Sequence, residues 1–215
     1  RFGMPDPLYN ALVFIPNGPV APFTTSVSCD RCGADVSGTP LVSALTGADG
    51  KFKLTNVPVG TNIPLVIQLG RWRRQITVNT TACTDLALTP DQSRLPRNKS
   101  EGDIPHMALV SGNVDGLECV LRKIGIDDSE FTAPSGNGRV HIYQNNGTTM
   151  AGAGTQASLT GSMSTLSQYD MVLLACDGTP PATDILNTVS PTSDEKSNLI
   201  AYANAGGRVF ATHYS

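Results

Sequence analysis

Met107-Ala108-Leu109-Val110-Ser111-Gly112-Asn113-Val114-Asp115-Gly116-Leu117-Glu118 decides the fold of the larger part of this chain. Its first four residues form a continuous apolar run, as a strand buried on both faces requires. Asp115 and Glu118 stand at the spacing of a helical capping box. Leu117, Val120, Leu121 and Ile124 then recur at helical intervals, and Gly125 is a helix stop. A buried strand feeding an amphipathic helix is the repeating unit of a parallel sheet.

The same pattern continues toward the C-terminus. Arg139-Val140-His141-Ile142-Tyr143 and Asp170-Met171-Val172-Leu173-Leu174-Ala175 read as strands. Thr192-Ser193-Asp194-Glu195 opens a second helix carrying Leu199, Ile200 and Tyr202, which ends at Gly206-Gly207. Arg208-Val209-Phe210-Ala211 is a fourth strand, and a further helix falls near residues 158–168. Sheets of this kind bind ligands beyond the carboxyl ends of their strands. Those ends are Ser111-Gly112-Asn113, Asn145-Asn146-Gly147, Cys176-Asp177-Gly178 and Thr212-His213-Tyr214.

Toward the N-terminus the period changes. Ala11–Ile15, Leu41–Leu45, Lys51–Leu54, Ile63–Leu69, Gln75–Val78 and Leu86–Leu88 are short apolar or alternating runs separated by turn signals such as Gly47-Ala48-Asp49-Gly50. Such spacing predicts a β-sandwich. The organisation expected is an N-terminal extension at 1–6, a sandwich at 7–90, a linker at 91–103 and a partial α/β domain at 104–215. The proline-containing, apolar-poor composition of 91–103 supports the linker. The fold class is therefore multidomain β plus α/β: a sandwich followed by a partial, parallel-sheet, flavodoxin-like domain.

Composition agrees with two domains. The chain has 215 residues and a net charge of −3. Residues 1–100 hold ten Lys/Arg and six Asp/Glu, a balance of +4; residues 101–215 hold five and twelve, a balance of −7. Neither half is charged enough to make nucleic acid the default partner. No apolar run approaches the roughly 18 residues that span a bilayer. Charged residues are only 15%, and Thr and Ser are abundant. That balance is associated with secreted, cell-surface or periplasmic proteins.

Five cysteines are present. Cys29-Asp30-Arg31-Cys32 has no second C-x-x-C to complete a zinc site, and Gly33 stands where a c-type haem motif needs histidine. A bridge from Cys29 or Cys32 to Cys83 is the structural expectation. Closing a loop of about 50 residues contributes roughly 4 kcal/mol in the chain-entropy model. Cys119 and Cys176 read as buried thiols. Arg71-Trp72-Arg73-Arg74 is the one basic cluster. It reads as a hairpin tip with solvated arginines, or as a surface contact in which Trp72 stacks on a base over a phosphate backbone.

Other chemistry-bearing patterns have bland readings. Gly152-Ala153-Gly154 opens a small-residue stretch that reads as a mobile loop rather than a phosphate cradle. Asp127-Asp128-Ser129-Glu130 lacks EF-hand spacing and reads as a solvated turn. His106, His141 and His213 are scattered, and no metal-ligand set can be named from them. Neither a metal nor a cofactor is expected.

Two resemblances rest on these residues. Thr46-Gly47-Ala48-Asp49-Gly50-Lys51-Phe52-Lys53-Leu54 with Asn56-Val57-Pro58-Val59-Gly60 resembles the core of carboxypeptidase regulatory-like, transthyretin-like domains. That resemblance covers about residues 38–78 and implies a non-catalytic module of secreted or surface proteins. Tyr169–Cys176 and Gly206-Gly207-Arg208-Val209-Phe210-Ala211-Thr212-His213 resemble class I glutamine-amidotransferase-like domains of the trehalose-utilisation type. In amidotransferases the strand after the paired glycines ends in a nucleophilic cysteine. Here His213 stands at the matching position, so the resemblance implies no glutaminase nucleophile, and Cys176 ends a different strand.

The leading functional expectation is a secreted or surface binding and scaffold protein with a protein or carbohydrate partner. One alternative is a hydrolase or sugar-processing enzyme using His213 as acid/base with Asp177 nearby. Another is a structural protein polymerising through exposed β-edges. The four-strand half-sheet further predicts a chain that is part of a longer polypeptide or completed by self-association.

Overall fold

The computed structural model describes residues 6–29, 36–147, 149–176, 178 and 194–213. They divide into two compact units. One comprises residues 6–23 and 36–104, the other residues 24–29 and 105–213.

The first unit is built on four antiparallel strands, β1 (Leu12–Pro16), β2 (Pro40–Leu45), β3 (Gly60–Leu69) and β4 (Trp72–Thr80), in the order β2-β1-β3-β4. Alternation along β1 and β3 places Val13, Ile15, Leu65 and Ile67 in one core with Val78. Pro64 is tolerated in β3 because β1 pairs only with Val66 to Gln68, so the missing N–H falls beyond that ladder. The Gly47–Gly50 turn forms as its residues require. Gly50 has φ of 70°, and Asp49 accepts a hydrogen bond from the Lys51 N–H at 3.0 Å.

The sandwich expectation holds only in its coarser form, an antiparallel β unit. Lys51–Leu54 alternates in exposure as anticipated, yet it joins no strand pair, and neither does Leu86–Leu88. Both sides of β1 and β3 are already occupied within the sheet. Phe52, Leu54, Val57 and Leu88 pack against the core without extending the ladder.

The segment expected to be a linker is instead part of this unit. Arg73 and Asp103 exchange backbone hydrogen bonds at 3.0 and 2.7 Å, and their side chains form an ion pair at 2.8 Å. Arg94 grips Glu101 with two parallel bonds of 2.6 and 2.7 Å, and that hydrogen bonding holds the Glu101 carboxyl down to about 2. Pro96 is buried and Leu95 packs on the core. Composition identified a polar segment; ion pairs together with the packing of Leu95 and Pro96 order it.

The second unit carries a parallel sheet. Its strands are β5 (Met107–Ser111), β6 (Phe131–Thr132), β7 (Val140–Gln144), β8 (Gly154–Thr155), β9 (Met171–Leu174) and β10 (Arg208–Ala211). The order is β10-β9-β5-β7-β6, with β8 paired to β7. Between them run α1 (Leu117–Lys123), α2 (Gln156–Thr160), α3 (Met163–Leu166) and α4 (Asp194–Asn204). Ala108 and Val110 of β5, Tyr143 of β7 and Val172 and Leu174 of β9 share one face with Leu159, Leu166, Leu199 and Tyr202. Val27 packs against the same cluster and donates its N–H to Ser167 O at 3.0 Å, which explains why residues 24–29 join this unit.

Two helix details differ from expectation. α1 starts one residue later than the capping box assumed, with Gly116 as N-cap and no side-chain cap bond. Leu117 and Leu121 are buried, whereas Val120 and Ile124 are exposed. The Gly/Ser/Thr/Ala stretch, read as a loop with a further helix near 158–168, forms α2 and α3, capped by Thr155 and Ser162. Thr192 and Ser193 lie outside the described residues, while Glu195 accepts a hydrogen bond from Thr160 at 2.7 Å. Among the described residues no helix is long and apolar enough to cross a membrane.

Candidate functional site

β5 is the first strand of the parallel sheet, and the chain passes to β6 and β7 on one side before crossing to β9 and β10 on the other. The reversal point at the carboxyl ends of β5 and β9 is where such sheets ordinarily open a crevice. Here the backbones close it. A Cβ on Gly112 would lie 2.1 Å from the Cys176 carbonyl oxygen, and one on Gly147 would lie 2.3 Å from that of Gly112. The Val114 N–H also donates to Cys176 O at 3.0 Å.

A small open pocket of about 70 Å³ lies beside this closure, on the opposite sheet face, under α1. Leu109, Ile142 and Phe131 contribute apolar lining, with Met150 from the segment after β7. Ser111, Glu118, Arg122 and Thr149 add polar groups. The alternation of β5 explains the arrangement. Ala108 and Val110 enter the α2–α4 core, so Leu109 and Ser111 must face α1.

Ser111 is 2% exposed and its Oγ has no hydrogen-bond partner among the described residues. Buried polar atoms are nearly always paired, so an orphan hydroxyl at a pocket wall marks a place for a ligand atom or water. Glu118 and Arg122 sit four residues apart on α1, a spacing at which a carboxylate and a guanidinium ordinarily pair. Arg122 is engaged elsewhere: Nε bonds the Asp128 carboxylate, and the guanidinium lies 4.4 Å from the Phe131 ring centroid. Asp128 belongs to the acidic run read as a solvated turn. It forms a short 3-10 helix in which Asp127 accepts from the Ser129 N–H, while Glu130 is buried and accepts from the Arg139 N–H at 2.9 Å.

A second polar cluster occupies the amino ends of the strands. The His106 and His141 rings meet edge-on with centroids 4.5 Å apart. The Tyr169 hydroxyl bridges His141 Nδ1 and the Tyr143 hydroxyl, both at 2.9 Å, and Tyr202 donates to Tyr169 O at 2.9 Å. Burial, reinforced by the neighbouring His106, pushes His141 down to about 4. Burial also lowers His106 and raises Tyr169 and Tyr202. Neutral rings in a packed, hydrogen-bonded array make a structural cluster. Among the described residues no group of His, Cys, Asp and Glu could hold a metal ion.

The sequence-based candidates are dispersed. His213 is exposed beyond β10, two positions from β5 in the sheet, and does not line the pocket. Asp177 lies outside the described residues. Of the expected bridge from Cys29 or Cys32 to Cys83, Cys29 and Cys83 are exposed free thiols in the structure. Cys32 lies outside the described residues. Cys176 is buried as expected, but Cys119 is exposed, because it occupies the solvent side of the displaced α1.

The basic cluster is not a solvated surface. Arg71 and Arg73 are each 7% exposed and stack over Phe23, Trp72 is half-buried, and Arg74 pairs with Asp91. Arg73 and Arg74 are counter-ions of Asp103 and Asp91 in the 91–103 segment.

Ser111 was legible in sequence only as the end of a strand. Glu118 was legible as half of a capping box that does not form. Comparison with protein-family models, curated proteins and solved structures finds no match.

Proposed function

We propose that this chain is a non-catalytic binding and scaffold protein of the secreted or cell-surface type. The pocket under α1 is its ligand site, and the observation that carries the reading is the buried, unpartnered Ser111 hydroxyl at its wall. An orphan hydroxyl is a standing energetic cost of about 1–3 kcal/mol that a bound hydrogen-bonding group removes. Among the described residues no histidine or cysteine lines the pocket. The transthyretin-like reading of the first unit and the amidotransferase-like reading of the second belong to the same proposal. They are supported by the sequence runs that suggested them and by an antiparallel sheet followed by a parallel one. The low charge and the Thr- and Ser-rich composition support the extracellular, cell-surface or periplasmic location.

The test is a thermal-shift screen of the purified chain against small sugars, amines, amino acids and carboxylates, with each stabilising compound recovered and analysed. Saturable stabilisation by a compound that returns unchanged is the expected result. Consumption of the compound, abolished by a change at His213, would favour the enzyme reading instead.

A further inference from the structure

We infer that the pocket under α1 is a site for a small hydroxylated alkylammonium ligand, an amino alcohol, whose ammonium pairs with Glu118 and whose hydroxyl bonds Ser111. This rests on the binding reading above and names the ligand class of that same site.

The argument begins with charge. Among the described residues two ionisable side chains line the pocket, Glu118 and Arg122. The charge on Arg122 is answered by Asp128, and its guanidinium is laid flat over Phe131. Glu118 has lost both partners that its sequence position offers. The capping box is absent because Gly116 is the N-cap, and the Arg122 four residues on is turned to Asp128. One unanswered carboxylate therefore remains at the wall of a pocket whose lining is otherwise apolar or hydroxylic.

Such a carboxylate selects a hydrogen-bond donor, preferably a charged one, because charge-assisted bonds are roughly twice as strong as neutral ones. Ser111 Oγ adds a second point. It is fully desolvated and can both donate and accept, which suits a ligand hydroxyl. In the same pocket Leu109, Ile142 and Met150 offer only dispersion contacts, which suit methylene groups. The competing classes fit less well. A pyranose would want an aromatic face, but Phe131 is 6% exposed and covered by Arg122. A carboxylate ligand would meet Glu118 with like charge while the guanidinium is already engaged.

The experiment is methyl NMR on the intact chain, following Met150, Ile142 and Leu109, during titration with aminobutanol, butanediol and hydroxybutyrate. These compounds have equal chain length and differ in charge. Aminobutanol is expected to move the pocket methyl signals saturably. Butanediol is expected to bind about tenfold more weakly, and hydroxybutyrate not at all. Glu118→Gln should weaken aminobutanol binding by about tenfold, and Ser111→Ala by several-fold, with the remaining spectrum unchanged.

Equal binding of aminobutanol by the wild-type chain and Glu118→Gln overturns the assignment. So does stronger binding of butanediol or hydroxybutyrate at the same methyls, although the binding reading then stands. If no compound moves the pocket methyls while a compound from the thermal-shift screen binds elsewhere, the site and ligand class fall and a binding role remains. If nothing binds in either experiment, both fall.

Discussion

His141 shows how one side chain in this molecule is tuned by its surroundings. Its ring is 6% exposed, bonded to Tyr169 and edge-on to His106, and burial pushes its protonation down to about 4 from an ordinary 6.5. Between those values the unfolded chain binds a proton that the folded chain does not, so stability rises with pH through that window. The contribution is fully present above 6.5 and is lost as pH falls toward 4. The urea midpoint should therefore fall from about pH 7 to about pH 5, and His141→Gln should flatten that slope. An unchanged slope in the variant would remove His141 as the cause. The residues of this cluster were visible in sequence, but their meeting was not. His106 precedes β5, His141 lies on β7 and Tyr169 precedes β9, and only the parallel order β9-β5-β7 brings them to one edge.

At the scale of elements, the closure between β5, β7 and β9 depends on glycine. Gly112 presses on Cys176, and Gly147 presses on Gly112, at separations that no Cβ can occupy. Gly112→Ala should destabilise the chain by about 2–3 kcal/mol through backbone overpacking, read as a lower urea midpoint. An alanine that folds with unchanged stability would show that these strand ends are loosely packed. The strands themselves were legible, because continuous apolar runs and period-two alternation depend only on neighbouring residues. β1 to β5, β7, β9 and β10 fall on the runs that marked them. Lys51–Leu54 alternates just as well but stays out of the sheet, with Phe52 and Leu54 packed on the core instead. The capping box at Asp115 failed for a related reason. Its spacing is a local signal, and the helix begins where Leu117 and Leu121 reach the sheet face.

For the whole molecule, the thiols report on how the chain is divided. Cys29, Cys83 and Cys119 are exposed and unbridged, and Cys176 is buried. Alkylation of the native, unreduced chain followed by peptide mass mapping should label the first three rapidly and Cys176 only after unfolding. Protection of Cys83 together with Cys29 would restore the bridge that the loop-rich sequence suggested. Residues 24–29 lie between two strands of the first unit in sequence, yet they pack with the second through Val27. The sequence by itself determined the two sheet types, the strands carried by strong apolar periodicity and the Asp49-Gly50 turn, all of which arise from interactions within a few residues. Only the tertiary structure decided that the 91–103 segment is held by ion pairs, that Arg71 and Arg73 are buried, and that Glu118 and Ser111 share a pocket wall. Those outcomes depend on partners tens of residues away, and desolvation and pairing across such separations leave no local periodic trace.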